Sequence, residues 1–198
     1  RGLGDVYKRQ VQYFAVGFYL PVIVGLIFGL DVISIVTGTI LLNVFGLLGG
    51  GIQPFLTHRF GGRMLTLIGS GICVVALIAV GLVQVESTPY LAATLVGAFI
   101  FGHSFGPGAQ GKTMATLSYP TDLRGTGTGW AEACSRLGSI VGFYVFPLVI
   151  AAVGLSQTML ILAAVPLIIF VTVLVARWDP KNVEIEAESV IPDRVQGT

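Results

Sequence analysis

Six long apolar stretches, at approximately residues 11–30, 32–56, 64–83, 90–111, 126–151 and 155–176, alternate with short segments that carry most of the charge. Each is close to the ~20 residues of helix that cross a bilayer core about 30 Å thick. Alternation is lost in the continuous apolar content, and each run far exceeds a barrel strand of about 10 residues. The pattern therefore predicts an all-α bundle of six transmembrane helices.

The polar segments between the runs predict an orientation. HRFGGR carries Arg59 and Arg63, KTMATLSYPTDLRG carries Lys112 and Arg124, and Arg177 and Lys181 follow the last run. The alternate turns carry Asp31, carry Glu86, or in GLSQT carry no charge. Loop positives mark the cytosolic side, so both ends of the fragment are expected there, in a plasma membrane, with a bacterial inner membrane the favoured setting.

Neither end of the chain reads as part of the bundle. RGLGDVYKRQ, residues 1–10, resembles a translated adaptor scar rather than a signal peptide, and native sequence is expected upstream of it. Residues 179–198 hold Glu184, Glu186, Glu188 and Asp193 with Pro180 and Pro192, the composition of a mobile cytosolic tail. The six-helix unit is thus expected over residues 11–178.

Glycines four apart, which let helices approach closely in lipid, occur in the first run (Gly25, Gly29), second (Gly46, Gly50), fourth (Gly102, Gly106) and fifth (Gly138, Gly142). The third and sixth have no such pair and are nearly bare of polar residues. Runs one, two, four and five are accordingly expected inside, with three and six facing lipid. The resulting three-plus-three pattern suits an inverted repeat, without letter-level similarity between halves.

Composition agrees with the membrane reading. Hydrophobic residues make up 54% and charged residues 11%, with a mean hydropathy of +0.88, against about a quarter charged in soluble domains. A net charge of +1 supplies no footprint for nucleic acid. Cys73 and Cys134 lie within apolar runs, without a second ligand at metal spacing, and read as small buried hydrophobes.

One motif points elsewhere. GPGAQGKT, residues 106–113, satisfies the phosphate-loop pattern G-x-x-x-x-G-K-[ST]. A phosphate loop needs a buried strand before it, a helix after it and a later acidic residue for magnesium. Here LAATLVGAFIFGHSF, long enough to span a membrane, precedes it, and Pro120 follows within seven residues of Thr113. The segment reads instead as the glycine-rich cytosolic end of the fourth helix, with Lys112 at the interface.

Candidate chemistry is sparse. Glu132 and Arg136 stand four apart on one face of the fifth run, in the order that favours pairing. Arg136 falls near mid-depth and should face protein or a water-filled cavity, either coupling transport or only locking helices. His103, the lone histidine within a run, suits a proton relay or a satisfied core position. Asn43, Gln53 and Gln110 are able to contact a substrate or join helices. Tyr13, Phe14, Phe18 and Tyr19 suit a pocket or the lipid interface, and Pro21, Pro147 and Pro166 interrupt helices. No nucleophile elbow, acid and base carboxylate pair or metal cluster is present, so neither an enzyme nor a cofactor is expected.

SYPTDLRGTGTGWAEACSRLGSIVG, residues 118–142, resembles the cytosolic loop and eleventh helix of the major facilitator superfamily. Pro120, Arg124 and Gly125 in the loop, then Arg136, Leu137, Gly138 and Gly142, carry the likeness to its sugar, organic-acid and metabolite proton-symporter branches. The resemblance extends over residues 11–178 and implies helices seven to twelve of a twelve-helix transporter. HRFGGR then occupies the place of the D-R-x-G-R-R gating motif, keeping Arg59, Gly61 and Arg63 but departing at His58 and Gly62. By the resemblance, Tyr19 and His103 are cavity candidates, Arg124 is a conformational latch, and Glu132 with Arg136 lies at the binding site or the interface between halves. The implied activity is alternating-access transport of a small polar metabolite, coupled to protons, by a protein whose N-terminal six-helix half is missing here. A self-contained six-helix channel or scaffold, and more remotely a nucleotide-binding membrane enzyme, are the competing readings.

Overall fold

A computed structural model describes residues 16–17, 19–28, 31–83, 87–117 and 123–176, and no strand occurs among them. The helices are α1 (Leu20–Phe28), α2 (Val32–Leu82), α3 (Pro89–His103), α4 (Ala109–Leu117) and α5 (Arg124–Ala176), with a π-helical turn at Ser104–Gly108 joining α3 to α4. Val32–Leu82, Pro89–Gly111 and Arg124–Val175 are each long and apolar enough to cross a membrane. Residues 1–10 and 179–198, with Tyr13, Phe14, Phe18, Glu86, Pro120, Arg177 and Lys181, lie outside the described residues.

Local chemistry sets the helix starts. Pro21 sits in the first turn of α1 and Pro89 opens α3, positions where the missing amide hydrogen has no intrahelical acceptor. Asp31 caps α2, its carboxylate accepting from the Ser34 amide and hydroxyl, each at 3.0 Å. Those two bonds hold the Asp31 carboxyl below the usual carboxylate range.

Two glycines bend the longest helices. Gly61 (φ 78°, ψ 159°) interrupts α2, and Gly154 (φ 80°, ψ 173°) interrupts α5, both in a region open essentially to glycine alone. On the first arm of α2, Leu42 and Phe45 face Gly97, Gly46 faces Ile100 and Gly49 faces Phe105, so this arm runs parallel to α3. On the second arm, Leu65 faces Gly106, Gly69 faces Gly102, and Cys73 donates to the Phe99 carbonyl at 3.5 Å, so it runs antiparallel. The chain therefore reverses at Gly61.

The same logic applies to α5. Residues 141–149 and 158–162 line one apolar cavity of about 90 Å³. Along an unbroken helix Val141 and Leu162 would stand about 31 Å apart. The second arm also runs antiparallel to the second arm of α2, because Gly81 faces Leu160, Gly71 faces Phe170 and Arg63 reaches Val173. The expected turns HRFGGR and GLSQT are thus each compressed to one non-helical residue.

A methyl group on Gly154 would meet nothing within 4 Å, so Gly154→Ala isolates the backbone term. A side chain at this φ and ψ costs about 1–3 kcal/mol. The thermal midpoint of purified protein should fall by several degrees, whereas an unchanged midpoint would show that the bend does not need glycine.

Burial within this chain taken by itself does not follow the division into inner and lipid-facing runs that is expected of the whole protein in a bilayer. The third run buries Leu65, Thr66, Gly69, Ser70, Cys73, Ala76, Leu77 and Val80 against its neighbours. The sixth buries Met159, Ala163, Ile169 and Val173. The second run, by contrast, exposes Val36, Ile40, Leu41, Leu47 and Phe55. Counting glycine pairs overlooked Gly69 with Cys73, which are also small residues four apart. The pair Gly102 and Gly106 does serve close approach, each backbone lying against Gly69.

Candidate functional site

GPGAQGKT sits within helix on both sides. Pro107 has no amide hydrogen to donate and its ring would clash with the His103 carbonyl in a regular α-helix. The π-helical turn over Ser104–Gly108 widens the coil at that place. Gly106 is enclosed by Leu65 and Gly69, so the motif's first glycine is taken up by helix packing. No strand precedes the motif among the described residues, and the phosphate-loop reading fails on that ground. The Lys112 side chain lies outside the described residues.

His103 closes α3 and is 6% exposed. Its ring lies 6.3 Å from that of Phe99, centroid to centroid, and packs over Gly108. Glu132 and Arg136 come together as the spacing requires, at 3.1 Å. Arg136, however, is 66% exposed on the outside of this chain rather than turned into it. At 1.5 Å per residue it stands about 18 Å from the start of α5, close to mid-depth of a bilayer core.

The remaining cavity candidates have quieter settings. The Asn43 amide donates to the Thr39 carbonyl one turn back, at 2.8 Å, on an exposed face. The Tyr19 hydroxyl donates to the Phe143 carbonyl at 2.9 Å, with the ring against Phe143 and Phe146 at 5.4 and 5.0 Å. Gln53 and Gln110, by contrast, meet. Both amides donate to the Thr57 hydroxyl, at 2.8 and 2.6 Å, and that hydroxyl donates to the Gln53 carbonyl at 2.8 Å. Thr57 thereby uses its full capacity, two accepted bonds and one donated. Sequence reasoning missed Thr57, although its place four residues after Gln53 in an apolar helix was a signal.

The gating candidates gather at one end of the bundle. Arg59 is exposed, and Gly61 is the reversal itself. The Arg63 guanidinium donates to the carbonyls of Val173 and Leu174, at 3.3 and 3.1 Å, capping the last turn of α5. Carbonyls there have no amide of their own helix to accept from, and a cation is favoured at that end. Arg124 opens α5, where the helix dipole disfavours a cation, and its buried Nε has no hydrogen-bond partner among the described residues. A methyl group on Gly125 would meet nothing within 4 Å. Thr128 reaches Thr116 at 3.4 Å, tying the start of α5 to α4. Among the described residues no group of three or more histidine, cysteine or acidic side chains is placed to hold a metal.

Three long apolar helices, two of them reversing at glycines and crossing their neighbours at small residues, give the architecture of a multi-pass membrane protein. Residues 9–188 match the family described as Sugar (and other) transporter, and the chain belongs to that family, within the major facilitator superfamily. It is a family of transporters, not enzymes. The chain is 33% identical over 161 residues to the "Putative metabolite transport protein YaaU" of Escherichia coli (strain K12), covering 80% of this chain and 35% of that protein. It is 32% identical over 175 residues to the Inner membrane metabolite transport protein YgcS of the same strain, covering 87% of this chain and 37% of that one. The chain thus spans little more than a third of the length of these relatives.

Proposed function

We propose that this chain is the C-terminal six-helix half of an alternating-access transporter for a small polar metabolite, a sugar or organic acid, coupled to protons. The observation that carries the reading is the Glu132 and Arg136 pair, near mid-depth, with the Arg136 side chain 66% exposed among the described residues. An arginine there is costly against lipid and belongs against protein or a water-filled cavity. A second bundle packed over the first arms of α2 and α5 supplies that cover, and the apolar exposure of the α2 arm supports the same placement.

With the reversals at Gly61 and Gly154, α2 and α5 supply two spans each, and the first run and α3 with α4 supply the others, six in all. The positive loop residues put Arg59, Arg63 and Arg124 at the cytosolic ends of a bacterial inner membrane. There Arg63 closes the end of α5 and Arg124 waits for a partner formed in another conformation. Tyr19, Asn43 and His103 line the route, with His103 or Glu132 carrying the proton.

The test compares liposomes holding residues 11–198 with liposomes holding the full-length gene product. Labelled hexoses and short-chain organic acids serve as probes, with and without an imposed proton gradient. Full-length protein should take up one class, faster with the gradient, while the fragment should take up none. Uptake by the fragment at a similar turnover would favour the self-contained channel and overturn the half-transporter reading.

A further inference from the structure

Pro147 removes an amide hydrogen from the first arm of α5, and in an α-helix that hydrogen would bond the carbonyl four residues back, on Phe143. A carbonyl left unpaired within a membrane-spanning segment is costly, so neighbouring helices usually supply a donor. Here the donor is identifiable. The Tyr19 hydroxyl reaches the Phe143 carbonyl at 2.9 Å from 124 residues away, and its ring is held between Phe143 and Phe146.

We propose that Tyr19 is a positioning residue whose hydroxyl stands in for the amide hydrogen that Pro147 lacks, tying the first span to the fifth one turn before that proline. Tyr19 is suited to the task because it precedes Leu20, where α1 starts, and its own carbonyl accepts from the Ile23 amide at 2.8 Å. The side chain therefore projects from a fixed helix end. A bond from side chain to backbone breaks without unwinding either helix, so the tie restrains the relative motion of two spans reversibly. Tyr19 thus acts as a structural tie, a role added to its place along the proposed route. The inference concerns a contact between two of the chain's own helices and does not rest on the transport reading.

The test is a cycle in full-length protein: Tyr19→Phe, Pro147→Ala and the double variant. Phenylalanine keeps the ring contacts and removes only the hydroxyl. Pro147→Ala gives the Phe143 carbonyl its helical amide back. Tyr19→Phe should lower the thermal midpoint by about 2–4 °C in the native background. In the Pro147→Ala background the same change should shift it by under ~1 °C. Amide exchange over residues 144–150 should rise several-fold in Tyr19→Phe alone. With carbon-13 placed at the Phe143 carbonyl alone, that carbonyl's band should move to higher infrared frequency in Tyr19→Phe, a readout that needs no proline variant. Equal midpoint losses in both backgrounds, or an unmoved carbonyl band, would overturn the assignment.

Discussion

Uptake by the full-length protein is expected to fall about 100-fold in Arg136→Ala, which corresponds to roughly 2.7 kcal/mol. The single variant alone does not decide what Arg136 does, because it leaves the Glu132 carboxylate without its 3.1 Å partner. In the proposed full-length assembly, where a second bundle covers the pair, removing one member costs about 3–5 kcal/mol, so folding and transport suffer together. The variant Glu132→Gln with Arg136→Ala separates them, since neither side chain then carries charge. It should recover most of the thermal stability and surface expression, and its uptake should remain near the level of Arg136→Ala. Normal uptake in this double variant would reduce the pair to a lock between helices and remove Arg136 from the coupling path.

That pair was legible in the sequence because its geometry is local. Four residues on a helix bring two side chains onto one face whatever the rest of the chain does. The membrane class was legible for a similar reason, resting only on the length and polarity of the apolar runs. What was not legible is long-range. Nothing near Thr57 shows that Gln110, 53 positions later, donates to it. Nothing near Arg63 shows that it caps carbonyls more than 100 residues away. Tyr19 was visible as an aromatic candidate, and Pro147 as a helix breaker, yet their connection through the Phe143 carbonyl appears only in three dimensions. What Arg136 faces is not legible for another reason, since depth follows from counting residues but facing depends on which partner is present.

The burial of the third run was missed because small-residue packing was sought as glycine pairs, and Gly69→Ala exposes the consequence. A methyl group on Gly69 would lie 2.7 Å from the Cα and 2.9 Å from the amide nitrogen of Gly106, both backbone atoms that have no rotamer to change. On the other side, a methyl on Gly106 would lie 2.6 Å from the Leu65 carbonyl oxygen and 2.8 Å from the Gly69 Cα. The second arm of α2 and the helix ending at the π turn must then separate, at a cost of about 1–3 kcal/mol. The thermal midpoint of the purified protein should fall by about 2–4 °C for each kcal/mol. Gly51→Ala is the matched control: it changes another glycine of α2, yet a methyl there meets nothing within 4 Å. Alanine should hold or raise stability at that position, by up to about 1 kcal/mol, through its better helix propensity. Combining Gly69→Ala with Gly106→Ala should cost less than the two losses added together. The first methyl already forces the helices apart, and the second enters space that the first has opened. Additive losses would mean that the glycines act separately, and a Gly69→Ala midpoint matching that of Gly51→Ala would mean that this crossing does not depend on backbone contact.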